Sequence, residues 1–199
     1  NQKDAYQAIY YKNQNGDGHY FNPQGDSMRK AFLRAPVSFS RISSNFNLRR
    51  KHPLFKTTRP HRGIDYAAPQ GTPIMAAGDG RIAHIGKNKG NGNFIVLQHG
   101  EQFTTKYLHM SRFARTMKKG TRVKQGQTIG YVGRTGYATG PHLHYEFLVH
   151  GSHRDPRTVA LPNAQPVPAA ERDRFAAQTR PYLSLLKSFQ EEQQIAAAD

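Results

Sequence analysis

Ten histidines are many for 199 residues, and their grouping matters more than their number. The densest group is Gly140-Pro141-His142-Leu143-His144-Tyr145-Glu146-Phe147. A strand period of two places His142, His144 and Glu146 on one face and Leu143, Tyr145 and Phe147 on the other. Two imidazoles then face the same space with α-carbons ~7 Å apart. Such a pair can put one ring on a metal and the other beside a reacting water. A merely half-exposed polar strand fits less well, because both positions carry bulky histidines beside Pro141.

His61 and Asp65 form a second candidate, in Pro60-His61-Arg62-Gly63-Ile64-Asp65-Tyr66. Pro60 and Gly63 disfavour a helix here, and a straight strand would hold the two side chains ~13 Å apart. A bend at Gly63 would bring them together; without it the segment reads as a polar loop. The third group is Thr105-Lys106-Tyr107-Leu108-His109-Met110, where alternation puts His109 on one face with Tyr107 and Thr105. His109 joins the same wall if the two strands lie close.

Several imidazoles, one carboxylate and no cysteine make a nitrogen and oxygen donor set suited to zinc. The same two-histidine, one-carboxylate set also serves non-haem iron. Three protein ligands with an open position describe a catalytic site, where the pKa of a bound water falls to about 7. Surplus histidines then act as general base or acid and stabilise charge on a tetrahedral intermediate. Glu146 shares the face of His144 and is expected to accept a hydrogen bond from a ligand imidazole. His84 and His99 read as satisfied polar positions, His52 as a weak groove candidate, and His19, His150 and His153 as peripheral.

The elements that must position these groups are short. Residues 5–22 read as a hairpin around Asn15-Gly16-Asp17-Gly18, followed by a turn at 23–26. Residues 29–41 form a basic connector. Strands are expected at 72–76, 80–85, 94–98, 103–109, 128–132 and 142–149, separated by glycine-rich turns, with a short helix at 111–117. A proline-containing linker at 162–168 leads into a helix-prone tail that Pro181 is expected to interrupt. The apolar positions Phe175, Tyr182, Leu185, Leu186 and Phe189 of that tail suggest a docking face. The expected divisions are 1–40 (hairpin and connector, remnant of an upstream domain), 41–160 (a mainly β domain) and 161–199 (linker and helical tail).

Lysine and arginine total 29 against 13 acidic residues, a formal charge of +16 with pI near 10.3. Residues 161–199 hold 4 basic and 5 acidic residues, so residues 1–160 carry the whole excess. Such a balance points to an anionic partner, without choosing among nucleic acid, membrane surface and acidic polymer. Absence of cysteine excludes disulfide frameworks, thiolate zinc sites and cysteine nucleophiles. No run approaches the ~20 apolar residues of a membrane-spanning helix. The chain opens Asn1-Gln2-Lys3 and lacks a charged-then-apolar signal segment, which reads as a processed product and leaves room for an upstream anchor.

His61-x-x-x-Asp65, then His109, then His142-x-His144, with Gly63-Ile64-Asp65-Tyr66-Ala67 and Thr139-Gly140-Pro141-His142-Leu143-His144 around them, resembles the lysostaphin-type, or LytM-like, zinc peptidoglycan endopeptidases. The likeness covers roughly residues 43–156. Ser27-Met28-Arg29-Lys30-Ala31-Phe32-Leu33-Arg34, Arg41-Ile42-Ser43-Ser44 and Arg50-Lys51-His52-Pro53 are similar to the Gram-negative branch, the murein DD-endopeptidases, and extend the likeness over most of residues 5–160.

This resemblance implies an antiparallel β-sheet domain flooring a narrow groove, with loops 51–59, 87–93 and 133–140 as walls. It implies that His61, Asp65 and His144 hold Zn2+ and that His142 and His109 are catalytic, orienting and deprotonating water and steadying the oxyanion. Spacing alone leaves open which of His142 and His144 is the ligand. The implied partner is peptidoglycan, cut between D-alanine and meso-diaminopimelate in the periplasm or cell envelope of a Gram-negative-type bacterium. A non-catalytic module that binds peptidoglycan or activates a hydrolase is the alternative, disfavoured because all five residues are present. The segment 119–130 is similar to lipoyl and biotinyl carrier domains but lacks their lysine-bearing turn. No nucleic-acid recognition motif occurs.

Overall fold

The computed structural model describes residues 7–38, 40–50 and 60–196. The chain folds as two compact units, one comprising residues 1–31 and 161–199 and the other residues 32–160. The sequence placed breaks at 40/41 and 160/161, with the two ends as separate pieces. In the structure both ends share one unit, and residues 32–40 belong to the larger one. Leu33 N–H donates to the Ala77 carbonyl and Met75 N–H to the Pro36 carbonyl, which ties that connector into the sheet domain.

The smaller unit is built on the hairpin of β1 (Ile9–Lys12) and β2 (Gly18–Phe21), paired with Ile9 opposite Phe21. Alternation turns Ile9 and Tyr11 inward, where they meet Phe21, Val167 and Phe175. Phe175 lies on α1 (Arg172–Ala196), with its ring 5.2 Å from that of Tyr11. Pro181 stands inside α1 and does not end it. One proline removes a single i→i−4 bond, and the turns on either side carry the helix across. Of the expected docking face only Phe175 is buried; Tyr182, Leu185, Leu186 and Phe189 are exposed. No helix among the described residues is long and apolar enough to cross a membrane.

Among the described residues the larger unit is an antiparallel sheet of ten strands. They are β3 (Arg41–Ser44), β4 (Ile64–Ala67), β5 (Pro73–Met75), β6 (Gly80–Asn88), β7 (Gly92–His99), β8 (Phe103–Phe113), β9 (Arg122–Val123), β10 (Thr128–Val132), β11 (His142–Val149) and β12 (Ser152–Arg154). The main path runs β3-β4-β11-β8-β7-β6-β9; β10 pairs with β5 and β8, and β12 pairs with β11. One sheet face carries the core, with Ile64, Ile95, Leu97, Tyr107, Leu143, Tyr145 and Phe147 fully buried. Phe32 closes an edge of that core, its ring about 5 Å from those of His99, Phe103 and Phe147.

The mainly β architecture agrees with the sequence reading, but the short helix expected at 111–117 does not form. Residues 111–113 finish β8, with Arg112 opposite Tyr131 and Phe113 opposite Gly130 on β10. Pairing with β10 supplies the hydrogen bonds that an isolated helical turn would have had to make internally.

Candidate metal and catalytic site

The central strand β11 meets β4 on one side and β8 on the other, with His144 opposite both Asp65 and Leu108. Cross-strand partners share a face, so Asp65 and His144 meet above the sheet while Tyr145, Ile64 and Tyr107 point into the core. Here the period of two read from the sequence holds.

His61 lies just before β4 and reaches the same point because the chain bends against β11. A β-carbon at Gly63 would fall 2.5 Å from the Tyr145 carbonyl oxygen and 2.8 Å from Nε2 of His144, so only glycine permits this approach. The outcome is a compact triangle: His61 Nε2 is 3.1 Å from Asp65 Oδ1 and 3.2 Å from His144 Nδ1, which is 2.7 Å from Asp65 Oδ1. One ligand atom from each residue lies within 4.8 Å of the other two. Two imidazole nitrogens and a carboxylate oxygen, converging from the stretch 61–65 and from β11 at this separation, fit a zinc ion.

His109 arrives by a route that alternation did not foresee. Strict alternation would send it to the core face with Tyr107 and Thr105, both fully buried. Instead His109 takes a left-handed backbone conformation, φ 65°, where the pairing of β8 with β7 and with β10 shifts register. The shift turns Leu108 and His109 both toward the groove and returns Met110 to the core. The His109 ring then stands 4.8 Å from that of His142 and 6.1 Å from that of His144.

The ring protons follow from the carbonyls around the site. Nδ1 of His61 donates to the Asn45 carbonyl (2.7 Å), that of His109 to the Thr135 carbonyl (2.8 Å), and that of His142 to the Gly140 carbonyl (2.8 Å). With Nδ1–H so engaged, each turns Nε2 toward the groove, that of His61 against Asp65 Oδ1. His144 is inverted, presenting Nδ1 to Asp65 and placing Nε2 3.3 Å from Glu146 Oε1. The contact expected of Glu146 is thus present, and Glu146 Oε2 also accepts from Lys106 Nζ (3.0 Å) and His153 Nε2 (2.9 Å).

Burial opposes charge on all these groups, and the hydrogen bonds decide which ones carry it anyway. Asp65 is pushed up by burial, but bonds from His144 and His61 outweigh this and hold it well below the usual carboxylate range. Burial likewise disfavours the charged forms of His144 and Glu146. Bonds donated to Asp65 and Glu146 nevertheless raise His144 to about 9, and those from His144, Lys106 and His153 lower Glu146 to about 2. His109 lacks such a partner, and burial lowers it to about 4.

The five residues line an open groove of about 920 Å³. Of the wall expected at 87–93, residues 87–88 and 92–93 are paired in β6 and β7, and Gly90 and Asn91 of the turn between them border the groove, as do Tyr137 and Thr139 of the 133–140 loop and Arg50 and Pro60. Loop 51–59, the third expected wall, lies outside the described residues, as does His52. His84 stacks on Phe94, and His99 is buried with Nδ1 bonded to the Asp79 carbonyl and Nε2 to Thr105 Oγ1. His153, read as peripheral, stands instead beneath the site on Glu146. A signal for it was present, since His150 and Gly151 both adopt positive φ between β11 and β12 as a two-residue hairpin turn. That turn sets His153 opposite Leu148, on the face of Glu146 and His144.

Residues 59–156 match the sequence profile described as peptidase family M23. The chain is similar to the peptidoglycan DD-endopeptidase ShyC of Vibrio cholerae, 49% identical over 189 residues that span 95% of this chain and 42% of ShyC. It thus spans less than half the length of that curated relative. Among solved structures it resembles a zinc-containing peptidase from Vibrio cholerae, with TM-score 0.65 and 38% identity over 78% of this chain and 47% of that one. It also resembles the catalytic domain of the prophage-encoded M23 protein EnpA from Enterococcus faecalis, with TM-score 0.54 and 36% identity over 63% of this chain and 97% of that domain. A chain that matches the M23 profile and is 36% identical over 97% of an M23 catalytic domain of the same fold belongs to peptidase family M23.

Proposed function

We propose that the chain is a zinc-dependent endopeptidase that hydrolyses the cross-links of peptidoglycan between D-alanine and meso-diaminopimelate, with His61, Asp65 and His144 holding the metal and His142 and His109 catalytic. The observation that carries this reading is the convergence of His61, Asp65 and His144 in an open groove beside two further imidazoles whose Nε2 lone pairs are free to work. The activity named for ShyC supports the choice of bond. When bound, zinc supplies Lewis acidity, acidifying water and polarising the scissile carbonyl.

The chain's own groups do the rest. His142 and His109, each fixed with Nδ1–H on a carbonyl, orient water through Nε2 and take up its proton. Burial keeps the His109 ring neutral and ready to accept. Once protonated, either imidazole can donate to the developing oxyanion or pass the proton to the departing amine. Arg50 and Arg62 at the groove supply positive charge for stem peptides that carry free carboxylates. A site of action in the periplasm or cell envelope follows from that substrate. A non-catalytic module would have no use for four imidazoles converging on one carboxylate in an open groove.

Mass spectrometry of cross-linked diaminopimelate-type peptidoglycan after incubation with the chain tests the reading. Conversion of dimers to monomers, abolished by chelation and restored by zinc, is expected; unchanged dimers with folded, zinc-loaded chain would overturn it.

A further inference from the structure

Glu146 concentrates three donors on one buried carboxylate. His144 Nε2 lies 3.3 Å from Oε1, while His153 Nε2 and Lys106 Nζ lie 2.9 and 3.0 Å from Oε2. The donors come from three adjacent strands, β11, β12 and β8. Burying a carboxylate is costly unless it is fully bonded, and this one is 8% exposed. Its place in the hydrogen-bond pattern says what the arrangement accomplishes. His61, His109 and His142 each have their tautomer set by a main-chain carbonyl, whereas both ring nitrogens of His144 face side chains. To offer Nδ1 to a metal, the His144 imidazole would have to give up the Nδ1 proton and keep the one on Nε2, and Glu146 is the acceptor placed for that proton.

We propose that Glu146, clamped by Lys106 and His153, is a positioning residue that keeps His144 in the Nε2–H tautomer and so sets how tightly the chain holds zinc. This rests on the reading of His61, Asp65 and His144 as ligands. Charge at 146, and not only its shape, is what the clamp requires. An ionised carboxylate is acceptor-only, whereas a glutamine offers one accepting and one donating end. With its oxygen turned to Lys106 and His153, Glu146→Gln aims its NH₂ at His144 Nε2. The imidazole proton is then driven to Nδ1, where it blocks ligation.

Zinc affinity, measured by competition with a chromophoric chelator, tests this. Glu146→Gln is expected to bind zinc 10- to 100-fold more weakly than the unchanged chain, with a far-UV spectrum showing the fold retained. His153→Leu and Lys106→Met should each lose several-fold, and His153→Gln, whose amide can still donate to Oε2, should recover most of the His153→Leu loss. Wild-type affinity in a folded Glu146→Gln overturns the proposal. So does equal loss in His153→Gln and His153→Leu. Should Glu146→Gln not fold, unchanged affinity in both His153→Leu and Lys106→Met overturns it equally. Asp65→Asn separates the two readings: if it loses zinc while Glu146→Gln does not, only the clamp fails, and if it binds zinc normally the ligand assignment fails with it.

Discussion

Replacing Gly63 by alanine should damage the metal site more than the fold. The added β-carbon would meet the Tyr145 carbonyl oxygen at 2.5 Å and His144 Nε2 at 2.8 Å. Ordinary contact needs ~3.5 Å, so the first approach is short by about 1 Å and the second by about 0.7 Å. Neither neighbour can easily yield. Tyr145 is paired to Ile64 on one side and Tyr107 on the other, and the His144 ring is held by Asp65 and Glu146. The segment carrying His61 must therefore lift from β11. Overpacking of this kind costs about 1–3 kcal/mol, which lowers the melting temperature of a unit this size by roughly 3–10 °C. A catalytic constellation tolerates only ~0.5 Å of displacement, and a 1 Å error costs about 100-fold in rate. Zinc titration, thermal melting and dimer hydrolysis at saturating zinc would be run on one preparation. Gly126→Ala is the comparison, since Gly126 is exposed at φ 82° with nothing within 4 Å. It should lose about 1 kcal/mol to backbone strain and keep its zinc. Wild-type zinc affinity and turnover in Gly63→Ala would refute the close-approach argument.

Two further outcomes are expected. His144→Ala should lose zinc and hydrolysis together, whereas His142→Ala should retain zinc by elemental analysis while losing 10²- to 10⁴-fold in rate; a zinc-loaded His144→Ala would show the ligand assignment to be wrong. His99 is held neutral chiefly by burial, which lowers its pKa from 6.5 against the opposing hydrogen bond to the Asp79 carbonyl. The unfolded chain therefore binds a proton that the folded chain does not, and stability falls as pH drops below about 6.5. His99→Gln should flatten that part of a melting-temperature profile, and an unaltered slope would count against the argument.

The sequence was most legible where backbone geometry is regular. β11 pairs with β4 and β8 without a register shift, so the common face of His142, His144 and Glu146 could be read from spacing. The His61 and Asp65 pairing could not, because it depends on a bend whose only trace is one glycine. His109 escaped the alternation rule, since a left-handed residue and a register shift are set by pairing with β7 and β10 rather than by local composition. The strands at Arg41–Ser44, Ile64–Ala67, Arg122–Val123 and Ser152–Arg154 also went unread. They are two to four residues long, and partners across the sheet define them more than their own propensity does. Lys106 opposite Glu146 is a matter of register, which no single segment reveals.

Three of the four site imidazoles take their orientation from the carbonyls of Asn45, Thr135 and Gly140. A main-chain carbonyl is the one acceptor that no amino-acid exchange deletes. Gly133, Gly136 and Thr135 hold the 133–140 loop by close approach and hydrogen bonds, but an outward residue such as Tyr137 is free to change, and with it the shape and charge of the groove wall, while the proton arrangement inside stays the same. The fold separates what can drift from what must be kept: new groove surfaces can be explored at an outward position such as Tyr137 at little risk to the proton arrangement, and the point of failure is the single imidazole that depends on a side chain.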